Sequence, residues 1–332
     1  MRCFASERPD EKHEGTGGLC RIGTAAAMGN ACGTDGVLAG SLGGREPGVA
    51  PCPAAWQPPP VHLWQLAARR TLRVPEDYPS LAAAIKAAAA ADRIAVAEGV
   101  YSETLLVDKA LEIVGRGAPA RVCLLAINAS VLTVARSPCR LANLTLRVSA
   151  VGDRACACVD AGAGSRVQLE NCVLEGGRCG LQTSGMAVVV ATEVSNSAGT
   201  GVLCLAGSRL WMLRCSVHSH ALSGLHLQGD GMVGYLGQSH IADCKANALT
   251  ISAGAQGTVE DNVITANADA GISVSDKGSG GDIRDNTISD NGLVGVYIFD
   301  GAAASIQNNN LANNGHHNLS VHPSSLPFVI CH

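Results

Sequence analysis

Short apolar segments recur along the chain at intervals of about 23 residues. The segment Val259–Ile264 has the pattern apolar-x-x-Asn-x-apolar, and it recurs as Ile283–Ile288 and Ile306–Leu311. A second segment, Gly-apolar-x-apolar, follows the first two copies as Gly271–Val274 and Gly295–Ile298. The first apolar residue of this second segment recurs at Leu181, Val202, Leu225, Leu249, Ile272, Val296 and Leu319.

A repeat of this length is too small to bury its own apolar face, so neighbouring repeats must stack. The pattern predicts an all-β, single-stranded, right-handed parallel β-helix, regular over residues 167–322 and looser from Leu72. Because strand side chains alternate between faces, Ile272 and Val274 are expected to point inward and Ser273 outward. Likewise, Tyr297 is expected to point outward between two inward residues.

Polar residues between the strands form two further columns. We interpret their asparagines as structural ladders, because Asn tolerates left-handed backbone and its amide can bond to the next coil. The first ladder contains Asn262, Asn286 and Asn309, and is continued toward the N-terminus by Ser239, Cys215, Thr192 and Cys172. The second contains Asn267, Asn291 and Asn314, and is continued by Cys244, His220, Ser197 and Gly177.

The N-terminal part has a different pattern. Residues 1–60 are rich in Gly, Ala and Pro and have no strand or helix period, so we expect disorder there and a β-helix domain over 61–332. An Ala-rich helix is predicted from Tyr78 to near Ala91, with Pro79 in its first turn, and we expect it to cap the solenoid. The first strand is predicted at Arg93–Ala97.

Composition narrows the class of protein. The formal charge is −4 without a basic cluster, which disfavours nucleic-acid binding. No apolar run is long enough for a membrane helix, and the start of the chain lacks a secretory signal pattern. The 14 cysteines are scattered without metal-binding spacing, so we expect reduced thiols in a cytoplasmic or nuclear monomer.

The stretch from Arg70 to Val74, the Ala-rich helix, Asp92–Val96 and Leu111–Gly117 resemble the opening of pectin-lyase-like β-helix domains. Within that superfamily the repeats are most similar to the β-helix of F-box-only proteins. This resemblance implies a non-catalytic module that binds a protein substrate or ligase scaffold for a ubiquitin ligase. Residues 1–60 lack the Leu-Pro and Leu/Trp signature of an F-box.

A carbohydrate-active enzyme (a polysaccharide lyase, hydrolase or epimerase with an acidic outer face) is the alternative hypothesis. Its candidate catalytic pair is Asp261 and Asp285, which occupy equivalent positions in adjacent repeats. Two carboxylates about 5 Å apart need a cation such as calcium, a raised pKa or good solvation. Solvated turns provide the simpler explanation, so the main hypothesis has no catalytic residue, metal or cofactor.

The rarity of aromatic side chains makes the outward ones candidates for ligand contacts. Aromatics are 3% of the chain, and they are enriched at the centres of protein interfaces. We therefore predict Trp211, His226, Tyr297 and Phe299 as binding residues of a recognition surface on the side of the solenoid.

Overall fold

The computed structural model describes residues 69–149 and 156–331. The expectation of disorder for residues 1–60 lies outside these ranges, as does the lead-in before Arg69. Within them, three parallel sheets wind into ten coils, with one additional strand of sheet A at each end. The predicted parallel β-helix is confirmed.

The strands follow one another in the order sheet A, sheet B, sheet C. Sheet A consists of Thr71–Val74, Asp92–Val96, Leu111–Gly115, Pro138–Ala142, Arg166–Glu170, Met186–Val190, Arg209–Leu213, Val233–Gly237, Gln256–Glu260, Gly280–Arg284, Ala303–Gln307 and Val329–Cys331. Sheet B consists of Gly99–Ser102, Val122–Ile127, Thr145–Ser149, Val173–Gly176, Glu193–Ser195, Ser216–His218, His240–Ala242, Val263–Thr265, Thr287–Ser289 and Asn310–Ala312. Sheet C consists of Leu105–Val107, Leu132–Val134, Ala157–Ala161, Cys179–Thr183, Val202–Cys204, Leu225–Gln228, Leu249–Ser252, Ile272–Val274, Val294–Ile298 and His317–Val321.

The register of sheet C reproduces the sequence repeat. Leu181 pairs with Val202, and the pairing continues from coil to coil as far as Leu319. Ile272, Val296 and Ile298 are fully buried, whereas Tyr297 is only half-buried on the outside. The alternation of inward and outward residues is therefore confirmed here. Each coil places one row of aliphatic side chains in a core that runs the length of the solenoid.

The Ala-rich segment is helical only over Leu81–Ala87, so the predicted helix was too long at both ends. Its N-cap is Ser80, whose hydroxyl accepts a hydrogen bond from the amide of Ala83 at 3.2 Å. The carboxylate of Glu103 accepts hydrogen bonds from the amides of Leu81 and Ala82, both at 2.9 Å. These contacts fix the start of the helix, which leaves Pro79 outside it. Leu81 is completely buried, so the helix covers apolar surface at the first coil.

The position of the first strand also differs from the prediction. Arg93–Ala97 is not the first strand, because Thr71–Val74 precedes it and pairs in parallel with Asp92–Val96. Short 3-10 helices lie at Pro119–Arg121 and Leu326–Phe328. No helix within the described ranges is long and apolar enough to cross a membrane.

The first ladder lies in the turn from sheet A to sheet B. The Asn286 side-chain oxygen accepts from the Asn262 amide at 3.0 Å, and its nitrogen donates to the carbonyls of Val259 and Arg284. The same donor also reaches the side-chain oxygen of Asn309 at 2.9 Å. Asn286 is 1% exposed, so its polar atoms depend on protein groups rather than on water for their hydrogen bonds.

The second ladder, in the turn from sheet B to sheet C, accommodates a histidine. His220 is fully buried, and its Nδ1 accepts from the amide of Ser197 at 3.2 Å. Its Nε2 lies 3.1 Å from the carbonyl oxygen of Val194 and donates to it in the matching tautomer. Asn267 makes the equivalent pair of bonds to Cys244 and Ile241. A neutral imidazole therefore substitutes for an asparagine.

Replacing Asn286 with Ala should lower the free energy of unfolding by about 2–3 kcal/mol, because several buried backbone groups lose their partners. Asn310→Ala is the matched control, since Asn310 is exposed at the start of its strand. Urea unfolding of both variants measures the difference. Equal effects of the two substitutions would show that the ladder amide contributes nothing specific.

Burial lowers the pKa of His220 from 6.5 to about 4. A folded-state pKa below the unfolded value means that the stabilisation is complete above pH 6.5 and is lost as the pH falls toward 4. The loss should reach about 3 kcal/mol. His220→Asn, which keeps one acceptor and one donor, should remove this component from urea unfolding curves measured between pH 7 and pH 4. The exposed His240→Asn variant should keep the wild-type pH dependence, and a curve unchanged by His220→Asn would contradict this explanation.

Candidate functional site

The outward side of sheet C carries a continuous column of polar and aromatic side chains, which we call the sheet C column. Register pairing aligns its members from coil to coil, about 4.8 Å apart. Its members are Leu106, Thr133, Asp160, Gln182, Leu203, His226, Thr250, Ser273, Tyr297 and Ser320. Most of them can form hydrogen bonds, and neither Lys nor Arg is among them. The column is therefore a long, nearly uncharged, hydrogen-bonding strip.

The central part of the column is held by a network of side-chain hydrogen bonds. The Asn247 amide nitrogen donates to the Thr250 hydroxyl at 3.1 Å, and the Ser223 hydroxyl lies 3.4 Å from the same atom. Asn247 is fixed in turn by the amide of Ala270, which donates to its side-chain oxygen at 3.0 Å. The Thr250 hydroxyl is thus positioned before any ligand arrives.

His226 lies one coil before Thr250, with its Nε2 2.9 Å from the Ser252 hydroxyl. Burial lowers the pKa of His226, so the ring is neutral at pH 7 and offers one donor and one acceptor. Two coils beyond Thr250, the rings of Tyr297 and Phe299 stack with centroids 4.5 Å apart and planes 19° apart. Both rings are half-buried, and together they form an apolar patch within an otherwise polar column.

The four predicted binding residues are divided between two faces. His226 and Tyr297 lie on the sheet C column, and Phe299 stacks on Tyr297. Trp211 lies on the outward side of sheet A, where it stacks on Tyr235 with ring centroids 3.7 Å apart, and it is only 7% exposed. Trp211 therefore does not share a surface with the other three. Alternation predicted that it points outward but not which sheet carries it.

The predicted acidic pair lies elsewhere. Asp261 and Asp285 are exposed in successive turns from sheet A to sheet B, each just before a ladder asparagine. Both have left-handed backbone, with φ of 56° and 58°. Asn171, Arg214 and other residues take the same conformation at this point of earlier coils. Aspartate at these positions suits the backbone conformation, independently of any chemistry.

The titratable residues of the sheet C column are evenly separated. Asp160, His226 and Tyr297 are each three coils apart, which corresponds to about 14 Å. A pair of residues that cleaves a glycosidic bond lies about 5–10 Å apart. Burial raises the pKa of Asp160, but no second acid or base of the column lies within that range. The column is suited to binding rather than to acid–base catalysis.

The described ranges hold no cluster of side chains suited to metal binding, and their buried thiols are poorly reactive. No group of three or more His, Cys, Asp or Glu side chains converges there. Nine of the cysteines in these ranges are buried, and burial raises the pKa of most of their thiols, to about 12 for Cys139 and about 11 for Cys172. Several of these thiols donate to backbone carbonyls, as Cys215 does to that of Leu213 at 3.3 Å. Such thiols pack and bond locally, and they are poor nucleophiles.

Several solved structures of low sequence identity are similar to this chain. An alginate lyase from Paenibacillus sp. str. FPU-7 is 14% identical, with 79% of this chain and 99% of that chain covered and a TM-score of 0.54. Pectin methylesterase PemA from Erwinia chrysanthemi is 11% identical, with coverages of 61% and 80% and a TM-score of 0.48. Pectate lyase Pel9A is 12% identical, with coverages of 80% and 79% and a TM-score of 0.47.

A search of the curated proteins found no match to the sequence. The comparisons support the β-helix but do not show a relationship to the F-box-only subfamily, so the adaptor role remains a prediction. The family model described as a right handed beta helix region matches residues 137–280 and 223–330, which together span more than half of the chain. The chain therefore belongs to the right-handed β-helix family.

Proposed function

We propose that the chain is a non-catalytic binding protein whose sheet C column holds an extended, neutral polysaccharide. The observation that carries the proposal is the column itself, a row of hydroxyl, amide and imidazole groups in successive coils. Sugar hydroxyls need such donors and acceptors, and the apolar faces of sugar rings pack against aromatic side chains. The stacked Tyr297 and Phe299 provide that aromatic surface at one end of the strip.

The charge of the column favours a neutral ligand over an acidic one. A polyuronate such as the substrate named for the alginate lyase carries one carboxylate per sugar, and its recognition needs cationic partners. The column offers a carboxylate at Asp160 and no cation, so it would repel a polyanion. We therefore replace the acidic polysaccharide of the alternative hypothesis with a neutral one.

Binding without cleavage follows from the spacing of the titratable groups. Since Asp160, His226 and Tyr297 are about 14 Å apart, no two of them can act on the same bond. We infer that a polysaccharide held on this face leaves unchanged in length.

Protein recognition on the same face is the second candidate function. It is favoured by the presence of three of the predicted binding residues, His226, Tyr297 and Phe299, on one side of the solenoid. A protein ligand would use Tyr297 and Phe299 as a central apolar anchor. A ubiquitin-ligase substrate or scaffold would belong to this second class.

Affinity electrophoresis through gels containing soluble neutral glucans, mannans or xylans tests the proposal. The full chain should be retarded by at least one of them, and less so by alginate or polygalacturonate. Incubation with the retarding polymer should generate no new reducing ends. Retardation by the acidic polymers alone would overturn the proposal, as would cleavage of the bound one. Capture of a protein ligand by a chain that no polysaccharide retards would favour the second candidate.

Tyr297→Ala and His226→Ala should each weaken polysaccharide binding about tenfold, which corresponds to about 1.4 kcal/mol for a lost ring contact or hydrogen bond. His240→Ala is the matched control, because His240 is exposed on the outward side of sheet B. Isothermal titration with the retarding polysaccharide measures the three affinities. Unchanged affinities of Tyr297→Ala and His226→Ala would place the ligand on another face.

A further inference from the structure

A second outward row runs beside the sheet C column, two residues further along each coil. Gln228 pairs with Ser252 at this position. Where the strand itself has ended, the parallel bonding continues, as from the amide of Phe299 to the carbonyl of Val274 at 3.1 Å. The members of this second row are Leu205, Gln228, Ser252, Ser275, Phe299 and His322. The two rows lie about 7 Å apart, so an extended chain of sugar rings can contact both.

Apolar side chains enclose one polar segment of these two rows. Leu203 and Leu205 are half-buried in one coil, and Tyr297 and Phe299 are half-buried four coils later, about 19 Å away. The three coils between them contribute only uncharged polar side chains to the two rows, namely His226, Gln228, Thr250, Ser252, Ser273 and Ser275. We call the five coils from Leu203 to Phe299 the five-coil segment.

Ser273, in the fourth coil of this segment, has a hydroxyl without a hydrogen-bond partner. The residue is 5% exposed, and its Oγ makes no hydrogen bond to any other residue in the described ranges. The neighbouring polar groups are partnered: Thr250 bonds to Asn247 at 3.1 Å, and the Ser252 hydroxyl lies 2.9 Å from Nε2 of His226. A hydroxyl that is almost removed from water and lacks a protein partner gains the most from a ligand group that bonds to it.

The turns that follow the second row add negative charge along one edge of the segment. Asp230, Asp276 and Asp300 are exposed in these turns, with Lys277 beside the second of them. The carboxylate of Asp276 accepts a hydrogen bond from the amide of Ala253 at 2.9 Å, which holds it in place. A sugar that carries a carboxylate is repelled at this edge, so the segment favours neutral sugars.

We propose that the five-coil segment is a finite site that binds the interior of a neutral polysaccharide, with one sugar for each coil. This inference rests on the proposed function and specifies which part of the sheet C column binds the ligand. With coils about 4.8 Å apart, the site holds about five sugars. The leucine and aromatic patches contact ring faces at its two ends, and Ser273 bonds to a hydroxyl of the fourth sugar. The column continues beyond both patches, at Gln182 and Ser320, so a longer chain can extend past the site.

Isothermal titration of the full chain with cello-, manno- and xylo-oligosaccharides tests the size of the site. The affinity for at least one series should rise tenfold or more between about two and about five sugars, and should change less than about twofold up to about eight. A plateau at about three sugars, or a rise that continues to about eight, would overturn this inference while polysaccharide binding stands. A chain that binds no neutral polymer would contradict the proposed function itself, and this inference with it.

Ser273→Ala tests the unpartnered hydroxyl. It should weaken binding of the five-sugar ligand about fivefold through the loss of one hydrogen bond. Its urea unfolding curve should match that of the wild type, because no hydrogen bond within the protein is removed. Ser320→Ala is the matched control, since Ser320 lies in the same column one coil beyond Tyr297. An unchanged affinity of Ser273→Ala, or an equal loss in Ser320→Ala, would overturn the assignment.

Leu203→Asn tests the boundary of the site at its other end. It should weaken binding of the five-sugar ligand about threefold and leave that of a three-sugar ligand unchanged, because the shorter ligand binds at the aromatic end. Leu106→Asn changes a leucine of the same column outside the segment, where it is 57% exposed, and should alter neither affinity. Equal losses for both ligand lengths in Leu203→Asn, or a loss in Leu106→Asn, would contradict the boundary.

Discussion

The hydrogen bond between coils is the interaction on which this structure depends. Each described strand obtains its backbone partners from the neighbouring coils, about 23 positions away in the regular coils, so no coil can satisfy its own amides and carbonyls. Backbone groups in the turns between the sheets also lack partners within their own coil. The ladder side chains bond to these groups. The Asn286 amide bridges three coils at once, because it bonds to Asn262 behind it, to Asn309 ahead of it and to Val259.

This constraint restricts where function can be located. The inward residues and the ladder residues are committed to stacking, so a ligand can be recognised only by outward columns, whose composition is free to vary. Sheet A and sheet C use this freedom differently. The outward side of sheet A is apolar and buried around Val188 and Trp211, whereas the sheet C column is polar, with Thr250 half-buried. A shared fold therefore specifies the scaffold, and the chemistry of each outward column must be examined separately.

The sequence predicted those features that stacking imposes in every coil. The register through Leu181 and Leu319 followed from the repeat, because each inward position recurs at the same step. Features determined by one tertiary contact could not be found this way. The helix begins at Leu81 because the carboxylate of Glu103, 22 residues later, bonds to its first amides. The burial of Trp211 likewise depends on its stacking on Tyr235 and its packing with Val188 and Val190, and alternation reports only that a side chain points outward.

The stack is held by different interactions along its length. In the C-terminal coils the ladders are asparagines, with bonds of 2.8–3.3 Å from their side-chain nitrogens to backbone carbonyls and to one another. Toward the N-terminus hydroxyls and thiols replace asparagine: the Thr192 hydroxyl accepts from the amide of Cys172 at 3.3 Å, and the Cys172 thiol donates to the carbonyl of Leu141 at 3.7 Å. The outside of sheet A adds ion pairs between coils in both regions, from Arg93 to Glu112 at 2.8 Å and onward to Arg140 in the early coils, and from Arg284 to Glu260 in the later ones. Because Glu112 is 1% exposed, removing an arginine partner would leave its charge buried and unpaired, so the early coils depend on this ion pair as well as on their core.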